Sequence, residues 1–215
     1  MSSNEIFIII QIGLIPTIIS IAKIYSGENN YKFFYIYIIG CYLTEIISNR
    51  LIHSKNYELA TCIVNIFLII EFIILNAILH QLRGQRNKSI TLIFFVVGFW
   101  LYENIFLHKI YESEKYFNTF GSIIIFIICI FTITNELNKN LSSFFEEPSI
   151  LIILTILFNF SFRIVFEFLY YNYEGNLKLM KSISNINLLI NFITNILFIY
   201  SLVCIKKGKK LISSF

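Results

Sequence analysis

The stretch Ile150–Tyr171, ILIILTILFNFSFRIVFEFLYY, decides what kind of protein this is. About 20 apolar residues are needed to cross the ~30 Å of hydrocarbon in a bilayer, and this segment has that length. Its second half carries a guanidinium, Arg163. An arginine deep in a bilayer costs roughly 3 kcal/mol on insertion scales, so it must face a partner or a wet interior and not lipid. Asn159, Arg163 and Glu167 recur at four-residue spacing and share one stripe of a helix. The nearest charge along the chain is therefore Glu167, although arginine before glutamate is the weaker orientation of such a pair. Glu45 and Glu103 are equally good cross-helix partners.

Composition extends this membrane reading to the whole chain. Of 215 residues 57% are hydrophobic and only 14% charged, with no aspartate. Soluble domains carry roughly 25% charged residues. The mean hydropathy is +0.74. Apolar segments are expected at 6–25, 33–53, 58–82, 90–108, 121–137, 149–171 and 183–205. The expected fold is thus all-α, a polytopic transmembrane helix bundle of about seven spans forming one domain over residues 1–215. The first segment lacks a positive flank and a small-residue cleavage site, so it is read as a retained span.

Orientation follows from the basic residues. The lysines 206, 207, 209 and 210 argue for a cytoplasmic C-terminus, and seven spans then put the N-terminus outside. Ten of the 17 Lys and Arg residues fall on the cytoplasmic side and six outside, leaving Arg163 within the bilayer. Tyrosines at span ends, such as Tyr25, Tyr57, Tyr111 and Tyr170, match an interfacial aromatic belt. The expected location is the bacterial inner (plasma) membrane, multi-pass, with the lipid bilayer as first partner. The net charge of +4 lies in loops and at the C-terminus. No basic face suits direct nucleic-acid binding. The Arg83–Ser89 loop and the Lys206–Lys210 tail are the candidate surfaces for a cytoplasmic protein partner, and a homo-oligomer is compatible with the chain.

The intramembrane polar residues are the candidate site: Glu45, Asn49, Glu71, Glu103, Asn104, Asn159, Arg163, Glu167, Asn187 and Asn191. In the third span Thr61, Asn65, Asn76 and His80 share a stripe, and at about 100° per residue Glu71 points well away from it. A helix polar on two sides belongs inside the bundle. In the assumed orientation these groups build a polar interior opening outward, formed by spans two, three, four, six and seven. Four carboxylates against one guanidinium suit proton or cation handling if they crowd together. The alternative role is hydrogen bonding between helices.

Other chemistry finds less support. Cys41, Cys62, Cys129 and Cys204 lie in apolar stretches without metal-binding spacing and read as small buried hydrophobes. His53, His80 and His108 sit at span ends and do not form a zinc triad. No cofactor, metal or catalytic residue is assigned. A lipid hydrolase would need Glu45 to converge with Glu103 or Glu167 as acid and base. The last span lacks a lysine for a retinal Schiff base.

The run Thr44-Glu45-Ile46-Ile47-Ser48-Asn49, the Ile70-Glu71-Phe72 step, Pro148 at the start of the sixth span and Asn187, Asn191 and Asn195 in the last resemble a family of small multi-span proteins of AT-rich bacteria. Some of its members accompany type VI-B RNA-targeting CRISPR loci as membrane accessory proteins. The resemblance implies an inner-membrane effector or accessory role in antiviral defence, through membrane permeability or signalling to a cytoplasmic partner. The residues themselves leave two alternatives open: a small-solute or proton-coupled transporter or sensor with an outward polar pocket, and an intramembrane lipid hydrolase.

Overall fold

In hydrocarbon every backbone polar group must be satisfied within its own segment, which leaves apolar runs of this length little choice but helix. The computed structural model describes residues 3–28, 31–83, 89–107, 109–112, 116–137, 147–172 and 177–207, with side chains at fewer of them. Residues 84–88 and 208–210 of the two candidate cytoplasmic surfaces, and His108, lie outside the described residues. All described secondary structure is helical: α1 (Ser3–Tyr25), α2 (Lys32–His53), α3 (Tyr57–Arg83), α4 (Ser89–Tyr102), α5 (Tyr116–Leu137), α6 (Pro148–Asn172) and α7 (Leu177–Lys207). A π-helical turn, Glu103–Leu107, continues α4. Four stretches are long and apolar enough to cross a membrane: Tyr57–Leu82, Tyr116–Glu136, Pro148–Tyr170 and Lys181–Ile205.

Two helices start five or more residues earlier than expected. α5 begins at Tyr116, five residues before Gly121, and α7 begins at Leu177, six before Ile183. The reason for α5 is a capping group from elsewhere in the chain, described below, which local sequence cannot reveal. α7 has 31 residues and is about 46 Å long at 1.5 Å per residue, so it outreaches the hydrocarbon. Its first turns (Lys181, Ser182, Ser184, Asn185) are accordingly polar and exposed.

The helices α1, α2, α3, α5, α6 and α7 pack in that order into a closed ring, α7 returning against α1, while α4 lies outside against α3 and α5. α3 is the most buried of the four long apolar helices, as its two polar faces require. Small residues set the closest approaches. A Cβ on Gly13 would sit 3.0 Å from Tyr42 of α2, and one on Gly40 would sit 3.1 Å from Phe67 of α3. The ring is filled by Phe34, Tyr37, Leu75, Leu79, Ile152, Ile153, Ile156, Phe198 and Leu202. Phe34 and Tyr37 meet Phe198 edge-on at 5.8 and 6.0 Å between centroids. The outer surface carries Phe94, Phe95, Phe106, Phe131 and Phe168, the apolar exterior a bilayer requires. All four cysteines are free, with Cys129 buried.

Polar contacts tie the ends. Lys23 Nζ meets Glu28 Oε2 at 2.8 Å, and Tyr35 donates to the same oxygen at 3.4 Å. Beside them the Tyr31 phenol is pushed up to about 12 by burial and by the Glu147 carboxylate. α1 and α2 both end in a residue of positive φ, Gly27 at 78° and Lys55 at 61°. At each, the next residue's N–H reaches five residues back (Glu28 to Lys23 O, Asn56 to Leu51 O), the Schellman closure of a helix. Glycine tolerates this conformation, whereas lysine is strained in it. Lys55→Gly is therefore predicted to stabilise the protein by up to about 1 kcal/mol. It should read as a raised thermal midpoint in detergent; a lowered midpoint would refute this account of the turn.

Candidate functional site

Glu71 stands near the middle of α3 on the face away from Asn65, and that face meets α6. Arg163 Nη1 donates to Glu71 Oε2 at 2.7 Å, while the Tyr37 hydroxyl of α2 donates to Oε1 at 3.2 Å. The Arg163 guanidinium also lies 5.3 Å from the Phe160 ring centroid, within cation–π range. The glutamate side chain is 7% exposed and the arginine 23%. This corrects the expected partner: Arg163 is held by Glu71, not by Glu45 or Glu103, and Glu167 is its neighbour along α6. Rotation along one helix was predictable from spacing, but the reach of Arg163 across the ring from α6 to α3 was not.

The open part of Arg163 faces a polar cavity of about 270 Å³ between α5, α6 and α7. From α6 it is lined by Asn159, Arg163, Phe166 and Glu167. α7 contributes Asn187, Ile190 and Asn191, and α5 contributes Asn118. Asn118 Nδ2 donates to Glu167 Oε1. Along α6 the stripe from Asn159 to Glu167 covers about 12 Å. The cavity therefore runs from the end where α6 finishes and α7 starts toward the bundle middle. Beyond the Arg163–Glu71 pair Leu75, Ile152, Ile156 and Leu202 are fully buried, and the Thr155 and Ser201 hydroxyls meet at 3.3 Å between α6 and α7.

Five of the expected site residues therefore come together around the cavity: Asn159, Arg163, Glu167, Asn187 and Asn191. Glu71 stands behind them. Glu103 and Asn104 do not line it. They sit in the π turn, both buried. The Glu103 carboxylate accepts the backbone N–H of Tyr116, at 2.9 Å, and of Phe117. It is the N-terminal cap of α5, supplied in trans, and this is why that helix starts before Gly121. Asn104 Nδ2 donates to Trp100 O at 3.1 Å within its own helix. Glu45 and Asn49 also stand apart, on α2; Glu45 Oε2 lies 3.9 Å from where a Cβ on Gly13 of α1 would be. The expectation of one crowded carboxylate cluster built by spans two, three, four, six and seven is corrected: α5 stands at the cavity with α6 and α7, and spans two, three and four do not line it. Nor does Glu45 join Glu103 or Glu167, as an acid–base pair would need.

Two residues were missed. Asn118 falls between the expected segments 90–108 and 121–137, although Asn118, Ser122, Ile125 and Cys129 keep helical spacing. Tyr37 lies one turn before Cys41 on α2, inside the aromatic-rich run Phe33–Tyr37. Asn65, by contrast, proves to be a fastener. Its Nδ2 donates to Ile110 O and Glu112 O at 2.9 and 2.7 Å, and its own carbonyl accepts Trp100 Nε1 at 3.1 Å. Among the described residues no three His, Cys, Asp or Glu side chains are placed to hold a metal ion.

Comparison with known proteins adds no name to this geometry: no family model, curated protein or solved structure matches the chain.

Glu103 offers the sharpest local test. An ionised cap at a helix N-terminus is worth about 1–2 kcal/mol. Glu103→Gln is predicted to lower stability by about 1 kcal/mol and Glu103→Ala by more, with faster amide exchange confined to the first turn of α5. Unchanged exchange there would contradict the capping role.

Proposed function

We propose that this chain is an integral membrane protein that binds a small polar solute in the cavity between α5, α6 and α7, as a transporter or sensor. The carrying observation is the polar cavity between α5, α6 and α7, lined by four asparagines beside Arg163 and Glu167. Concave sites with a few convergent polar groups are where small ligands bind. Polar residues in a bilayer interior are expensive and are retained where they handle solutes or protons. The tight burial of Leu75, Ile152, Ile156 and Leu202 beyond Arg163 favours binding over a standing conductance. In the proposed topology all seven helices cross the bacterial inner membrane, the N-terminus is outside and the C-terminus cytoplasmic. The cavity then opens to the outside, because α5 and α7 begin there and α6 ends there. The accessory effector role implied by the family resemblance would use the same helices, with a path past the buried residues beyond Arg163 if it changes permeability, or a cytoplasmic partner if it signals.

Cysteine accessibility tests cavity, topology and closure together. In a background with the four native cysteines replaced by alanine, Asn191→Cys is predicted to react with a membrane-impermeant thiosulfonate added to intact cells. Leu202→Cys, in the filled half of the same helix, is predicted to stay unlabelled. Cells expressing the wild type are predicted to keep their membrane potential. An unreactive Asn191→Cys would sink the outward cavity, and wild-type depolarisation would transfer support to the effector role.

A further inference from the structure

The groups that line the cavity also say what kind of molecule it takes. Its two charged residues are already engaged. Arg163 donates to Glu71 at 2.7 Å, and Glu71 is itself nearly closed off. Glu167 accepts from Asn118, and it lies against the N-terminal turn of α5, where the helix dipole favours negative charge. An incoming anion would have to displace Glu71 from Arg163 and would meet Glu167. A zwitterion would need both charges released at once. A bare metal ion is far smaller than a 270 Å³ space lined by amides. What remains on offer is the carboxamides of Asn159 on α6 and of Asn187 and Asn191 on α7, with the Oδ1 side of Asn118, whose Nδ2 is held by Glu167, and the apolar faces of Phe166 and Ile190.

A carboxamide is the neutral side chain that presents an acceptor and paired donors in one plane. A hydroxyl donates and accepts at once, so neighbouring hydroxyls on a ring match such groups in either sense. The C–H face of the same ring suits the Phe166 side of the cavity. Helical spacing sets Asn187 and Asn191 about 6 Å apart along α7, opposite the longer stripe of α6. We propose that the cavity binds an uncharged, polyhydroxylated ring of monosaccharide size. This inference rests on the solute-binding role above. The ring could arrive as a free sugar or cyclitol, or as the headgroup of a membrane lipid, since the same chemistry recognises both.

The full-length protein in nanodiscs decides the matter. Its thermal midpoint and binding isotherms are measured against glucose, galactose and myo-inositol, and against alanine, lysine, glutamate and acetate. A second set of nanodiscs contains monoglucosyl-diacylglycerol in place of part of the phosphatidylglycerol. At least one uncharged polyol, free or lipid-borne, is expected to raise the midpoint, and the charged solutes are expected to leave it unchanged. A rise with free sugar identifies a soluble ligand; a rise confined to the glycolipid discs identifies a headgroup. Asn159→Leu and Asn187→Leu are each expected to weaken that binding about tenfold or more, the loss of one or two hydrogen bonds. Asn191→Gln keeps the amide but narrows the cavity; it should weaken binding in a protein that folds normally, while Asn49→Leu on α2 should leave binding intact. A rise with an amino acid or organic ion and none with polyols overturns the ligand class while leaving solute binding in place. No rise with any probe overturns the ligand class too, and the Asn191→Cys labelling then says whether an open cavity survives.

Discussion

A guanidinium and a carboxylate inside an apolar bundle must neutralise each other or be paid for by the whole fold. Arg163 and Glu71 meet at 2.7 Å across the interior of a six-helix ring, and much of the polar architecture follows from that contact. It joins α6 to α3, which are not neighbours in the ring order. Tyr37 adds a second donor to Glu71 and so brings in α2. Removing one member of such a pair leaves a buried charge uncompensated, which is far costlier than removing both.

The pair also divides the interior. On one side lie Leu75, Ile152, Ile156 and Leu202, all fully buried, with the Thr155 and Ser201 hydroxyls paired between α6 and α7. On the other, Asn159, Glu167, Asn187 and Asn191 surround open space. Arg163 is the boundary, closed toward Glu71 and partly open toward the cavity. The start of α5 completes the wall. Glu103 caps its backbone from the π turn after α4, and Glu167 holds Asn118 from α6. Two carboxylates at one helix N-terminus suit its dipole. They also fix the position of the one helix whose cavity residue lay in an apparent loop.

Much of this was legible in the sequence. Hydropathy indicated helices long enough for a bilayer, and four-residue spacing put Asn159, Arg163 and Glu167 on one stripe and Asn187 and Asn191 on another. The two polar faces of α3 indicated an interior helix. What could not be read was which helices are neighbours. Spacing fixes rotation about one axis but not what stands across from it, so Glu71 was not recognised as the partner of Arg163. The same gap turned Glu103 from a site candidate into a cap, because its partners are backbone N–H groups that carry no sequence signal. Glu45 and Asn49 share the intramembrane polarity of the site residues, yet they face elsewhere.

The most direct test of the central contact is a double-mutant cycle on the stability of the purified protein, with Arg163→Met, Glu71→Met and the two combined. Each single substitution is predicted to cost about 3–5 kcal/mol, and the double variant to recover most of that loss, giving a coupling of several kcal/mol. Additive losses, or an Arg163→Met variant as stable as the wild type, would show that the pair does not organise the bundle.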